Sequence, residues 1–361
     1  MGLPETLSMP VAWNERHRLH EPGGEVYVGV RTPGTEIPER AERIRVALLE
    51  AGCEVVEARP HPDAALAAVH DPALLEYLAG AWDGWRAAGL PAEPGQDRVV
   101  PYLFAHPALL AGVSPIEPVA AAAMAGRFTY DTMTLLGPGT FEAARGAIDT
   151  ALTAVDLVSA GSPAAYALCR PPGHHATRGG FGGSCYLNNS AAAAAALREG
   201  LGGPVAVIDV DAHHGNGTQQ IFYEDTGVLT ASVHVDPAAG WFPHFLGAAA
   251  ETGAGPGAGA NRNLPLPPGS GDGAWLEAVE ALADWAHGRG AEALVVALGV
   301  DAAGGDPESP LEVTAAGYRR AGEILGGLHL PTVVVQEGGY RLEAIGPLVR
   351  EALLGIEEGL T

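Results

Sequence analysis

The chain has 361 residues, 47% of them hydrophobic and 17% charged, enough to build a large core without covalent help. Its 43 acidic residues outnumber 20 basic ones, all of them arginine, for a formal net charge of −23. A field of that sign repels phosphate backbones and anionic lipid surfaces and gathers cationic solutes, so nucleic-acid and membrane-surface functions are set aside; the same charge also serves solubility.

In chain order, the first 20 residues lack the apolar core of a secretory signal, and Cys53, Cys169 and Cys185 are an odd set with no C-x-x-C. Reduced thiols and a cytoplasmic location are expected. A helix is predicted over Pro38–Ala51 and a strand at "EVVEA" from Glu54. The Pro-, Ala- and Gly-rich stretch from Trp82 to Met133 reads as a long loop. Next come a helix over Thr140–Ser159, a strand "AYALC" from Ala165 and a helix over Ser190–Glu199. Strands "VAVIDV" from Val205 and "VLTASVHV" from Val228 lead into a second long loop, Asp236 to Asp272. A helix over Gly273–Arg289, the strand "ALVVALGV" from Ala293, a helix over Thr314–Gly327 and the strand "TVVVQ" from Thr332 complete the series.

That alternation predicts an α/β fold: an open, mainly parallel sheet with helices on both faces and a site at the C-terminal ends of the strands. No Pro/Ser-rich linker divides the chain, so 1–361 is read as one domain with loop insertions at about 82–133 and 236–272. Every apolar run is broken by Gly, Pro or charge before the roughly 18 residues of a membrane span.

Four polar clusters follow four of these strands. "AYALC" runs into "RPPGHHA", "VAVIDV" into "DAHHGNGT", "ALVVALGV" into Asp301, and "TVVVQ" into "EGGY", which ends at Tyr340. Asp211 and His213, at alternate positions past a strand end, aim to the same side, with Asp209 one step deeper and His214 beside them. Carboxylate and imidazole suit zinc, and Asp301, emerging from an apolar strand, is the third ligand of choice, since a carboxylate buried there needs a counter-charge. Three protein ligands leave a position for water. His174 and His175 have no carboxylate in their own loop, which suits proton transfer, with Asp209 and Asn216 as acceptors for their other ring nitrogens. Tyr340 can donate to a carbonyl oxygen on which charge develops. Taken singly, each group has a plainer reading: Asp211 and Asp301 as backbone caps, the tandem histidines as surface residues, Tyr340 as packing. Together they argue for one site.

"RPPGHHA", "CYLNN", "DVDAHHGNGT", "GVDAAGGDP" and "EGGY", in this order, resemble the zinc-dependent histone deacetylase superfamily over about residues 35 to 350. "GRFTYDTMTLLGPGTFEAA" and the stretch from His234 to Pro267 are similar to its acetylpolyamine amidohydrolase branch and class II-like bacterial relatives. The resemblance implies zinc on Asp211, His213 and Asp301, with ferrous iron able to use the same ligands. It implies catalytic roles for His174, His175 and Tyr340, with Asp209 and Asn216 as histidine partners. It also implies a potassium ion held by Asp209, the carbonyls of Asp211, His213 and Val233, and the Ser232 hydroxyl. The amide Asn216, in place of a carboxylate, should leave His175 less basic. The substrate channel would run between Gly183 and Ser184 on one side and Trp241 and Phe242 on the other. Many relatives carry an aromatic residue where this chain has Ser184, so that wall reads as open. The implied reaction is metal-assisted hydrolysis: zinc and Tyr340 polarise the acyl carbonyl, His175 deprotonates the attacking water, and the proton passes to the leaving amine beside His174. The acidic surface points to an acetylpolyamine or similar aminoalkyl amide; an acetyl-lysine protein or a bulkier amide is the alternative. The 82–133 insertion would build a homodimer interface or a mobile rim. A two-manganese ureohydrolase would need a further Asp-x-Asp where Asp301 is followed by Ala302 and Ala303, and an inactive binding module would be expected to lose Tyr340 or a tandem histidine.

Overall fold

The computed structural model describes residues 6–91, 98–114 and 116–361. Its strands are β1 (Val11–Trp13), β2 (Glu25–Tyr27), β3 (Val30–Thr32), β4 (Val55–Glu57), β5 (Ala164–Ala167), β6 (Val205–Asp209), β7 (Val228–Val235), β8 (Asn261–Leu266), β9 (Ala293–Leu298) and β10 (Thr332–Gln336). Its α-helices are α1 (Glu39–Glu50), α2 (Ala64–Ala67), α3 (Pro72–Ala87), α4 (Pro107–Leu110), α5 (Ala121–Phe128), α6 (Thr140–Ser159), α7 (Asn189–Leu201), α8 (Asn216–Phe222), α9 (Asp272–Gly288), α10 (Ala315–Gly326) and α11 (Ile345–Leu360).

Eight strands form one parallel sheet in the order β4-β1-β5-β10-β9-β6-β7-β8, and β2 pairs with β3 in a separate antiparallel hairpin. Because successive side chains on a strand point to opposite faces, each central strand feeds two cores. Ala206, Ile208, Leu294, Val296 and Val334 join Ile44, Trp275, Tyr318 and Leu353 from α1, α9, α10 and α11. Val205, Val207, Val295, Val333 and Val335 join Leu74, Ile148 and Leu197 from α3, α6 and α7. Each fully buried aliphatic residue contributes about 1.5–3 kcal/mol, so the four middle strands, packed on both sides, give a stiff ledge at their carboxyl ends.

All six expected strands are present. The β2–β3 hairpin and helices α2, α3, α4, α5 and α8 were not predicted, and three further unpredicted elements each have a reason of their own. β1 is only three residues, too short for a periodic signal. β8 lies inside the 236–272 stretch read as loop; its "NRNLPL" is half polar and contains Pro265, a composition that an edge strand with a single partner tolerates. α11 buries Ile345, Leu348, Val349, Ala352, Leu353 and Ile356, a spacing legible in the sequence but masked at its start by Gly346 and Pro347, which fit a helix's first turn. The 82–133 stretch contains the end of α3 and the short α4 and α5. Among the described residues no helix is long and apolar enough to cross a membrane, and all three cysteines are buried and unpaired.

Candidate active site

The four strands that carry the polar clusters, β5, β10, β9 and β6, are consecutive in the sheet. Their register is close: Ala167 lies beside Val335, Gln336 beside Leu298, and Ala297 beside Asp209, so the residues after each strand leave the sheet at one level. One rim therefore receives all four clusters, as expected for ligand sites of open α/β sheets.

Asp211, His213 and Asp301 each present a ligand atom within 4.8 Å of the other two. Both carboxylates are fully buried. The fit of this trio to a divalent ion can be judged from what occupies the rest of each side chain. Asp211 Oδ2 accepts the Gly338 N–H at 2.8 Å, and Asp301 Oδ1 accepts the Ala212 N–H at 2.8 Å. The remaining oxygens, Asp211 Oδ1 and Asp301 Oδ2, stand 3.2 and 3.1 Å from His213 Nδ1. Two buried carboxylates this close repel: burial and the neighbouring Asp211 push Asp301 up to about 7. A cation relieves that repulsion, and two oxygens with one imidazole nitrogen match zinc or ferrous iron, leaving an open position. Gly338 has to be glycine for this arrangement, since a Cβ there would lie 2.4 Å from Asp301 Oδ2 and 2.5 Å from Asp211 Oδ2.

His174 and His175 sit with ring centroids 4.0 Å apart and opposite electrostatic settings. His174 Nδ1–H donates to Asp209 Oδ2 at 2.9 Å. Burial alone would lower its imidazole, but the carboxylates of Asp209 and Asp211 outweigh burial and push it up to about 10. His175 Nδ1–H donates to the amide oxygen of Asn216, 2.7 Å away at the start of α8. Burial and the cationic His174 hold His175 well below the ordinary histidine range, an effect that the neutral Asn216 counters only in part. One ring is thus a fixed cation, and the other is neutral with a bare Nε2. His214 belongs to neither set: its Nε2–H donates to Gln219, 3.0 Å away.

Tyr340 is held at both ends. Its backbone N–H donates to Asp306 Oδ2 at 2.8 Å, and the Arg40 guanidinium lies 4.5 Å from its ring centroid. Burial raises its hydroxyl well above the usual phenol value, against the pull of Arg40, so it is a donor at any working pH.

These groups open onto a cleft of about 450 Å³. Trp241 and Phe242 form one wall, Phe242 edge-on to the His175 ring at 4.8 Å. Opposite stand Gly183 and Ser184, both left-handed with φ of 56° and 61°. A Cβ on Gly183 would come within 2.4 Å of His175 Cδ2, so the wall passes that ring only as bare backbone. Asp131 Oδ2 fixes the turn by accepting the Gly183 N–H at 2.6 Å, and Thr134 Oγ1 accepts the Ser184 N–H at 2.9 Å. Ser232 faces Asp209 across the β6–β7 register, and both line a buried cavity of about 10 Å³; Val233 is the next residue of β7.

Several lining or supporting residues escaped sequence reasoning. Tyr27 and Glu25 enter the cleft from the β2–β3 hairpin, Met133 from the segment before α6, and Glu308 from the loop after Asp301. They carry no pattern of their own. Arg40 and Asp306 were missed as well, and Glu337, which lies inside "EGGY" directly after β10, carried no role in that reading.

Comparison with known proteins identifies the family. The histone deacetylase domain model matches residues 35–356. The chain is 41% identical over 349 residues to the acetylpolyamine amidohydrolase of Mycoplana ramosa, covering 96% of this chain and 99% of that protein. It is 40% identical over 347 residues to acetylpolyamine amidohydrolase 1 of Pseudomonas aeruginosa, covering 96% and 98%. The crystal structure of acetylpolyamine aminohydrolase from Burkholderia pseudomallei superposes with a TM-score of 0.90 at 39% identity, over 98% of this chain and 99% of that one. The chain thus belongs to the histone deacetylase family.

Proposed function

We propose that this protein is an amidohydrolase that removes the acetyl group from a small N-acetylated amine, an acetylpolyamine or similar aminoalkyl amide. The observation that carries this reading is the pair of buried imidazoles, one backed by the Asp209 carboxylate and the other by the Asn216 amide, beside a three-donor metal site and a phenol that line the same rim. Bound by Asp211, His213 and Asp301, zinc or ferrous iron would supply Lewis acidity toward the acyl carbonyl and the attacking water. His175 Nε2 takes the water proton as oxygen attacks the carbonyl carbon, and the Tyr340 hydroxyl donates to the carbonyl oxygen as it becomes anionic. The same proton then reaches the amine nitrogen as the C–N bond breaks, giving acetate and amine. His174 stays protonated throughout and balances the charge. Asp209 and Asn216 orient the two rings.

Two carboxylates, Glu25 and Glu308, line the cleft, which favours a substrate with a remote positive charge. Gly183, Ser184, Trp241 and Phe242 are the substrate walls of this reading. We assign a potassium ion to Asp209, the Ser232 hydroxyl and the carbonyls of Asp211, His213 and Val233, in keeping with the small cavity that Asp209 and Ser232 share. The exposed Tyr102, Leu109, Ile116 and Val119 favour a homodimer through the 82–133 insertion, and 1–361 is taken as a single cytoplasmic domain.

The test is a panel of N-acetylputrescine, N-acetylspermidine, an acetyl-lysine peptide and a bulkier acyl-lysine, run with the metal-loaded wild type and with Ser184→Phe. Acetylpolyamines should turn over best, and Ser184→Phe, by narrowing the open wall, should lower kcat/KM for the bulkier acyl group about tenfold or more while sparing acetyl substrates. Turnover of the peptide or the bulky amide alone would replace the polyamine assignment.

The acid limb of kcat/KM offers a second check. A base whose pKa is depressed stays neutral, and active, until the pH falls below the ordinary histidine value near 6.5. Activity should therefore hold from pH 8 to about 6 and fall only below that. Asn216→Asp places a carboxylate on His175 Nδ1, favours the imidazolium and should move the limb upward by about one unit or more. A limb that Asn216→Asp leaves in place would mean that His175 is not the titrating base.

A further inference from the structure

Glu337 directly follows β10 as a carboxylate with no exposed surface, and the mechanism above gives it no part. A buried carboxylate is costly unless its oxygens are taken up, and here they are. Oε2 accepts the backbone N–H groups of Gly173 at 2.6 Å and of His174 at 3.1 Å. Oε1 accepts the hydroxyl of Ser190, in the first turn of α7, at 2.7 Å. One side chain thus ties the end of β10 to the loop that carries both tandem histidines. The residues that follow grip the rest of the site. Gly338 N–H holds Asp211, the Gly339 carbonyl accepts from Arg40 Nε at 2.5 Å, and Tyr340 N–H is held by Asp306.

We propose that Glu337 is a positioning residue: its carboxyl fixes the backbone at His174 and keeps the imidazole pair in register with the Asp211 shelf and Tyr340. This rests on the reading of His175 as the group that moves the proton. The bonds go to the main chain of the residue that bears the first imidazole, so their loss shifts the pair as a unit. A shift of about 1 Å in reacting groups can cost about 100-fold in rate. The expected cost falls on kcat, since Glu337 does not line the cleft.

The charge is not what matters in this arrangement. Burial pushes the carboxyl up to about 7, against the pull of cationic His174, so both protonation states are accessible near neutrality. In either one Oε2 remains free to accept two N–H groups, with the Ser190 hydroxyl turning to suit. Glutamine, the isostere of the neutral acid, should therefore replace it, whereas aspartate keeps the charge but falls one methylene short.

The experiment compares Glu337→Gln, Glu337→Asp and Glu337→Ala with the wild type on N-acetylputrescine, measuring kcat, KM and bound metal per chain. Expected are a kcat within about threefold of wild type for Gln and losses of about 10- to 100-fold for Asp and Ala, with KM nearly constant and metal content unchanged. The Asp variant, close to native volume, keeps the comparison open if the Ala protein folds poorly. Wild-type kcat in Asp and Ala overturns the proposal, as does a Gln variant as slow as Ala, or a loss of kcat that follows loss of metal. A wild type inactive on every amide of the panel overturns the functional reading and this inference together. An active wild type with an unaffected Glu337→Ala overturns this inference alone.

Discussion

Tyr340→Phe lowers kcat on an acetylated amine by about 10²- to 10³-fold and leaves KM within a few-fold. The substitution removes one oxygen and little else, because what places the residue does not involve it. The backbone N–H is bound to Asp306, and Arg40 lies over the ring, so a phenylalanine keeps the position of the tyrosine. What is lost is a donor that burial keeps protonated, aimed where negative charge appears only as water attacks. Such a donor stabilises the transition state more than the bound substrate, which is why kcat carries the loss. Steady-state kinetics on N-acetylputrescine measure it. Unchanged kcat would make Tyr340 a packing residue and send the search for the oxyanion donor elsewhere.

Asp211→Asn costs still more. In the native site Oδ1 faces His213 while also accepting its backbone N–H at 2.8 Å, and Oδ2 accepts from Gly338. The amide must turn its NH₂ group toward one of these donors, so either Gly338 N–H is left buried without an acceptor or the ligand oxygen is replaced by a group that cannot ligate. The first costs about 1–3 kcal/mol of stability. The second removes a negative charge from a site whose Lewis acidity is worth several kcal/mol of barrier, a loss on the order of 10³-fold or more in kcat. Elemental analysis of the purified protein should show less than one metal per chain, and the thermal midpoint should fall by several degrees. A fully metallated, active Asp211→Asn would exclude Asp211 as a ligand.

The chemistry was more legible in the sequence than the recognition surface, and the cause is physical. Asp211, Asp301, His174 and Tyr340 each sit just past an apolar strand, where a polar residue is conspicuous and where parallel strands leave their sheet at one level. The neighbour order β5-β10-β9-β6 was not legible, because crossover connections do not encode which strands become adjacent. Nor were the walls. Glu25, Tyr27 and Met133 come from segments whose composition fits any surface loop, and only tertiary packing brings them to the cleft. Asp131 and Asp306 act through backbone N–H groups, a role that any short polar side chain near a turn can take and that therefore leaves no signature.

The hairpin of β2 and β3 belongs to neither core and pairs with no strand of the main sheet, yet it supplies three residues of the cleft, Glu25, Tyr27 and Thr32. Thr132 Oγ1 donates to the Val26 carbonyl at 2.7 Å, a clasp between two peripheral segments that leaves the sheet untouched. Selectivity is in this sense detachable from catalysis. A lineage can change residues 25–32, and so exchange one amine for another, without replacing any of the carboxylates, imidazoles or the phenol that face the metal site. The hairpin is where sequence drift among close relatives would be expected to track diet rather than mechanism, and where an engineer would graft first.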